Sequence, residues 1–304
     1  MSVNKQFELH SRPVIFGEVL FDHFPDGSKH LGGAPFNVAW HLQGFCLRPL
    51  FVTRIGQDTE GELILTEMVR WGMDTQAVQI DPGKPTGYVT VTEQDGQPQY
   101  EIPAGQAWDN ISRVFVAELI KDMHCSFIYF GSLAQRDSTS RNTLQRLLSI
   151  SGLQTFVDIN LRSPWFSDAL LHETLDKTTW LKVNEEELHT LTGSSINTQE
   201  ARAQAAKTLC QHHGIEAIYI TRGENGAEYV SLTGEYATDA PSLTGQANPV
   251  GAGDAFTAVC IYGQHKGWDN AKILLRATAF AAKVCEGQGA LPIKQSDYDV
   301  LLNA

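Results

Sequence analysis

The residues best suited to chemistry lie near the C-terminus, in Asn248-Pro249-Val250-Gly251-Ala252-Gly253-Asp254-Ala255-Phe256. Gly251 and Gly253 let the backbone bend closely round an anion. The free N–H groups at the start of a helix predicted from Ala255 to about Gln264 point at the same place. Such a turn suits a phosphoryl group. A carboxylate repels phosphate, so Asp254 beside it points to a base acting on the hydroxyl that attacks phosphorus. The competing reading makes Asp254 a helix cap and the glycines a plain turn.

A second segment, Gly32-Gly33-Ala34-Pro35-Phe36-Asn37-Val38-Ala39-Trp40, sets two glycines before a helix expected from Pro35 to Gly44. Asp22 follows the first predicted strand. A carboxylate accepts two hydroxyl bonds, an amide both donates and accepts, and Gly33 permits close backbone approach, so Asp22, Gly33 and Asn37 suit a polyol. A turn carboxylate and a cap amide are the structural alternatives. Arg162, in Asp158-Ile159-Asn160-Leu161-Arg162, could direct its guanidinium to a phosphate or sugar oxygen, or be held by Asp158 or Glu173 in a salt bridge. Asn184 and Glu187 stand at i and i+3 on one helical face, so both can approach the same hydrated ion; Glu185 and Glu186 read as a solvated face. Thr221, Gly223 and Gly226 form the turn after a strand, placed for nucleotide phosphate or ribose, or serving only as a turn.

The elements that must position these groups alternate. Val14-Ile15-Phe16, Leu50-Phe51-Val52, Phe127 to Phe130, Thr155-Phe156-Val157, Trp180 to Val183 and Ala217 to Ile220 read as buried parallel strands. Helices are expected over Glu60 to Trp71, Ser138 to Ser151, Glu185 to Leu191, Gln199 to His213 and Asn270 to Glu286. This is the pattern of an α/β doubly wound, mostly parallel sheet flanked by helices, in which ligands bind outside the C-terminal strand ends. Val19 to Leu31 and Thr86 to Ile102 break the alternation and read as hairpins, the second turning at Asp95-Gly96. They could pair into a small β-sheet, or form an edge of the main one.

Gly-Gly-x-x-x-Asn-x-Ala near the N-terminus and Gly-Ala-Gly-Asp near the C-terminus resemble the two signatures of the ribokinase-like (PfkB) carbohydrate kinases. Gly17-Glu18 through Asp22, Gly56-Gln57-Asp58 with Gly61, Asp158 to Arg162, Asn184 to Glu187, Thr221 to Gly226 and Gly289-Ala290 add to the likeness, which runs from about Val14 to Pro292. The resemblance implies one kinase domain over residues 1–304, with lid segments at about 19–31 and 86–102 closing over the sugar. It implies that Asp254 takes the proton of the sugar hydroxyl and that the N–H groups of Gly251, Ala252, Gly253 and Asp254 receive the phosphoryl oxygens. Asp22, Gly33 and Asn37 would hold the sugar. Asn184 and Glu187 would support Mg2+ and the ATP phosphates, Glu187 reaching the ion through water. The wording Gly-Gly-Ala-Pro-x-Asn-Val-Ala and Asp-x-Asn-Leu-Arg-x-Pro-Trp is closest to fructokinases, so fructose is the first acceptor expected. Ribose, 2-keto-3-deoxygluconate, a nucleoside, or a sensor without catalysis are the alternatives.

Two positions depart from the family. Asn248-Pro249 replaces its usual Asp-Thr, which puts activation by a monovalent cation (K+) in doubt. Thr278 stands where an Asn often lies near the adenine.

Hydrophobic residues make up 42% of the 304, enough for a substantial core. Lys plus Arg number 23 against 35 Asp plus Glu, and the net charge of −12 argues against nucleic-acid or anionic-membrane partners. Cys46, Cys125, Cys210, Cys260 and Cys285 form no Cys-x-x-Cys pair, which fits reduced thiols in a cytoplasmic protein. No apolar run approaches the roughly 20 residues of a membrane span. There is no Walker-type phosphate loop, and the late Gly-x-Gly has Phe256 where a dinucleotide fingerprint needs its third glycine. Exposed lid edges could pair in a homodimer.

Overall fold

The computed structural model describes residues 12–94, 97–120, 127–243, 248–287, 289–291 and 294–302. In chain order these form β1 (Val14–Phe16), β2 (Leu20–His23), β3 (Lys29–Gly32), α1 (Ala34–Gly44), β4 (Leu50–Gly56), α2 (Thr59–Arg70), β5 (Val78–Asp81), β6 (Gly87–Gln94) and β7 (Gln97–Glu101). There follow α3 (Arg113–Ile120), β8 (Phe127–Gly131), α4 (Ser138–Leu148), β9 (Gln154–Asp158), α5 (Asp168–Leu175), β10 (Trp180–Asn184), α6 (Glu185–Thr192) and α7 (Gln199–His213). The last are β11 (Ala217–Thr221), β12 (Ala227–Ser231), β13 (Glu235–Thr238), α8 (Ala252–Lys266), α9 (Asn270–Cys285) and α10 (Ser296–Leu302).

Among the described residues the strands make two sheets. The larger runs β13-β12-β11-β10-β9-β8-β1-β4-β5, parallel from β5 through β11 and antiparallel at β12 and β13. Its strands other than the edge strands β13 and β5 are buried on both faces, so alternate side chains enter two cores. Ile15, Phe51, Tyr129, Phe156 and Tyr219 pack towards α1, α2, α8 and α9. Val14, Phe16, Ile128, Phe130, Ile218 and Ile220 pack towards α3, α4, α5, α6 and α7. That two-sided burial is why these strands read as continuous apolar runs.

The smaller sheet runs β3-β2-β6-β7, with β2 and β6 parallel, so the two hairpins join each other as a separate sheet and not as an edge of the main one. The dipeptide Asp95-Gly96, like Cys125 and Pro292, lies outside the described residues. Gln106 fastens this sheet to the body: its side chain accepts from the Tyr88 N–H at 3.2 Å and donates to the Tyr88 carbonyl at 2.6 Å. No helix among the described residues is long and apolar enough to cross a membrane.

Local chemistry sets most boundaries. Asp58 accepts the Gly61 N–H and starts α2, Thr198 accepts the Ala201 N–H and starts α7, and Gly214 in the left-handed region ends α7. Six further elements lie outside the expected pattern: α3, α10, β5, α5, β12 and β13. β5 and α5 are short and mix polar with apolar residues, and the β12–β13 hairpin carries Glu228, a buried charge, inside its inner strand. Arg202 of α7 bonds that carboxylate from two nitrogens, which makes the burial tolerable.

Candidate active site

The sheet changes winding direction between β1 and β8, the crevice at which doubly wound folds take up ligands. The chain segments leaving β1, β8, β9, β10 and β11 all open at this edge, and the N-terminus of α8 packs against them: Thr257 donates to Asp158 at 3.1 Å.

α8 begins at Ala252, three residues ahead of the expected start, because Gly251 adopts φ 81° and itself serves as the cap. A Cβ there would collide with Ala290. Asp254 therefore lies inside the first turn and makes no capping hydrogen bond, so it is not a helix cap. Its carboxylate instead accepts a hydrogen bond from Asn37 Nδ2 at 2.7 Å. Asn37 is no cap either, since α1 is capped by Gly33 and starts at Ala34. Burial raises the Asp254 carboxyl to about 7; the Asn37 bond lowers it, Asp158 raises it, and Lys182 and Arg162 lower it. A base poised near neutrality is well matched to taking a proton from an alcohol during transfer.

Of the four backbone donors expected to cradle an anion, the Ala252 N–H is already turned to the Pro249 carbonyl at 3.2 Å. Those of Gly253 and Asp254 belong to the first helical turn, where no intrahelical acceptor exists. Lys182 lies beneath them, its Nζ 3.4 Å from where a Cβ on Gly253 would stand. Lys182 also donates to Asp158 at 3.1 Å. Burial alone would lower its ammonium, but Asp158 and Glu187 outweigh this and hold it above the ordinary lysine value. Lys182, Asp158 and Thr257 were not expected as site residues. The readable signal was a lysine inside the otherwise apolar strand Trp180-Leu181-Lys182-Val183.

Asp22 projects from the small sheet. Burial raises its carboxyl, against the pull of His30, Arg162 and His23. Gly33 has φ 107°, and a Cβ on it would stand 2.8 Å from the Glu18 carbonyl oxygen. Arg162 is exposed and forms no ion pair among the described residues, because Asp158 is already committed to Lys182. Its charge is nevertheless felt at Asp22, Glu18 and Asp254. Asp22, Gly33, Asn37, Arg162 and Asp254 thus share one neighbourhood, although they come from four separate segments.

On the other side, Asn184 and Thr221 are paired neighbours in β10 and β11. Asn184 and Glu187 form a reciprocal capping box, each bond 2.8 Å, and Glu187 Oε1 also accepts the Leu161 N–H at 3.0 Å. Both Glu187 oxygens therefore hold one backbone N–H and keep lone pairs to spare. Glu185, on the face expected to be solvated, keeps a side chain 39% exposed and accepts from Arg202 at 3.2 Å. Gly223 to Asn225 is a short 3-10 turn joining antiparallel β11 and β12, with Gly226 after it. Thr278 donates to the Leu274 carbonyl at 2.9 Å, so its hydroxyl is satisfied within α9.

The pfkB family carbohydrate kinase model matches residues 10–296. Probable fructokinase-4 of Arabidopsis thaliana is 26% identical over 268 residues, covering 82% of this chain and 80% of that protein. A fructokinase from Vibrio cholerae O395, solved with fructose, ADP and a calcium ion, matches with a TM-score of 0.80 at 23% identity over 96% of this chain and 99% of that one. Aminoimidazole riboside kinase from Salmonella enterica, solved with its riboside and an ATP analogue, gives 0.79 at 22% identity over 97% and 100%. The two structural likenesses establish a shared fold. With a family match spanning nearly its whole length, the chain belongs to the pfkB family of carbohydrate kinases.

Proposed function

We propose that this protein is an ATP-dependent sugar kinase that transfers the γ-phosphate to a primary hydroxyl of a free sugar, with fructose the first acceptor. The observation that carries this reading is Asp254, a half-buried carboxylate near neutral pKa, oriented by Asn37 at the first turn of a glycine-started helix. In the reaction the sugar oxygen forms a bond to the γ-phosphorus, the bond from that phosphorus to the bridging oxygen breaks, and ADP leaves with the electron pair. The hydroxyl proton goes to Asp254. The first-turn N–H groups of α8 and the Lys182 ammonium receive the charge that develops on the phosphoryl oxygens. Binding of a sugar needs no base, so the site favours catalysis over sensing.

In this reading Asp22, Gly33, Asn37 and Arg162 hold the sugar, while Asn184, Thr221, Gly223, Gly226, Gly251 and Gly253 line the nucleotide. The donor set suits Mg2+, which keeps several waters and takes one or two carboxylates; Glu187, through water, would hold it. When bound, the ion would neutralise phosphate charge. The whole chain acts as one kinase unit, with residues 19–31 and 86–102 as its lid. Free thiols at Cys46, Cys210, Cys260 and Cys285 support a cytoplasmic location.

The test is a panel of neutral sugars, sugar acids and nucleosides with ATP and magnesium, the products read by mass. Phosphorylated fructose is expected as the leading product, and no ATP consumption with any acceptor would sink the proposal. Potassium should activate weakly. Asn248 is a neutral amide whose Oδ1 already accepts the Val250 N–H at 3.1 Å. Strong activation by potassium over sodium at matched ionic strength would show that other oxygens build a cation site.

A further inference from the structure

Phosphoryl transfer as proposed leaves Glu18 without a role. This residue follows Gly17 directly out of β1, at the crevice where the sheet changes direction, and is only 3% exposed. Its Oε2 has no hydrogen-bond partner among the described residues. A buried carboxyl oxygen left unpaired is costly, so the fold would shed it unless something outside the chain were its partner.

Independent contacts set Glu18 against the acceptor groups. Its carbonyl underlies Gly33, as the 2.8 Å approach to a Cβ there requires. Burial raises its carboxyl to about 7; Asp254 on α8 adds to the rise, while Arg162 after β9 and Arg136 after β8 oppose it. Below it on β8, the buried and unpartnered Tyr129 hydroxyl feels the charges of Asp158, Asp254 and Glu18 together. Asn37 Oδ1, the amide oxygen not used in orienting Asp254, is also buried without a partner among the described residues. The exposed guanidinium of Arg162 acts on Glu18, Asp22 and Asp254 alike.

We propose that Glu18 is a third carboxyl of the acceptor pocket, its Oε2 accepting a hydroxyl of the sugar, and that this acidic lining selects neutral polyols over sugar acids. A neutral polyol brings an O–H donor to each carboxyl. An acceptor with its own carboxylate would meet three acidic groups and one exposed guanidinium, since Arg136 and Lys182 are buried and already paired with Asp109 and Asp158, and like-charge approach is an effective means of rejection. The proposal rests on the kinase reading of the same site.

Parent, Glu18→Gln and Glu18→Met proteins would be titrated calorimetrically with fructose and with gluconate in the absence of nucleotide, and melted. KM values for sugar and ATP would follow. The Met variant should bind fructose about 10- to 100-fold more weakly, the loss of one hydrogen bond to a charged group. Glu18→Gln keeps a carbonyl acceptor and should fall between. ATP KM should not move, and both variants should discriminate less against gluconate. The Met variant should melt no lower than the parent, because a buried unpaired carboxyl has been replaced by an apolar chain of similar length. Unchanged fructose affinity in the Met variant, with the parent binding fructose, would overturn the role of Glu18 alone. A parent that binds no neutral sugar would overturn the kinase reading and this proposal with it.

Discussion

In the proposed reaction Asp254 is the base, and its desolvation would tie turnover to pH. Its carboxyl stands near 7 and must be ionised to accept a proton, so kcat/KM should rise with pH through about 7 and be lost below it. Asp254 and Glu18 oppose each other, so the limb belongs to the pair and not to one residue. Asp254→Asn preserves size and removes the basic oxygen. Turnover should drop about 10²–10⁴-fold, with sugar and nucleotide affinity close to the parent's. Because Asp254 makes no capping bond, stability should not suffer from that change. Asp22→Asn should act differently, raising the sugar KM more than it lowers kcat. Steady-state kinetics of the two variants from pH 5 to 9 would check both, and near-parent turnover in Asp254→Asn would move the base elsewhere.

At the scale of the element, α8 is the part on which the chemistry depends. It can present its first turn to the crevice only because Gly251 takes a left-handed conformation against Ala290, on the segment after α9. Gly251→Ala places a Cβ where it meets both a backbone penalty of about 1–2 kcal/mol and a collision. We expect a melting temperature several degrees lower and a fall in kcat larger than any change in sugar KM. A variant with parental melting and turnover would show that the turn can shift at no cost. The small sheet has its own fixed point: Arg136 lies between the rings of Trp108 and Trp165, at 4.0 and 4.5 Å, and donates to Asp109 and to the Pro103 carbonyl. That cluster anchors the chain just where it leaves β7.

Over the whole molecule the same buried acids shape stability. Asp254 and Glu18 have folded values near 7, above their ordinary 3.8 and 4.5, so the folded state holds their protons to higher pH than the unfolded chain does. Stability from these groups is therefore greatest at acid pH and is lost as pH rises from about 4 to about 7. The ligand-free protein should melt lower at pH 8 than at pH 5.5 on their account, and Asp254→Asn or Glu18→Gln should each flatten the slope. Calorimetric melting across that range checks it; an unchanged slope in both variants would assign the dependence to other groups. The site sits where the sheet winding reverses, so its destabilising acids are surrounded by the two largest cores and can be carried.

The sequence by itself determined the family, the strand–helix alternation and the two hairpins, and singled out Asp254 as the candidate base, because those features are local. Apolar periodicity, glycine turns and signature motifs act within a few residues of chain. Gln199 to His213 is the clearest case, a helix whose threonine cap and terminal glycine are both written beside it. Only the tertiary structure decided how separate segments meet. It bonded Asn37, expected as a sugar contact, to Asp254, 217 positions away, and gave Asp158 to Lys182, leaving Arg162 without an ion pair among the described residues. It also buried Glu18 with an oxygen unsatisfied. Burial and long-range charge depend on what packs across the crevice, and neither is carried by any one stretch of chain.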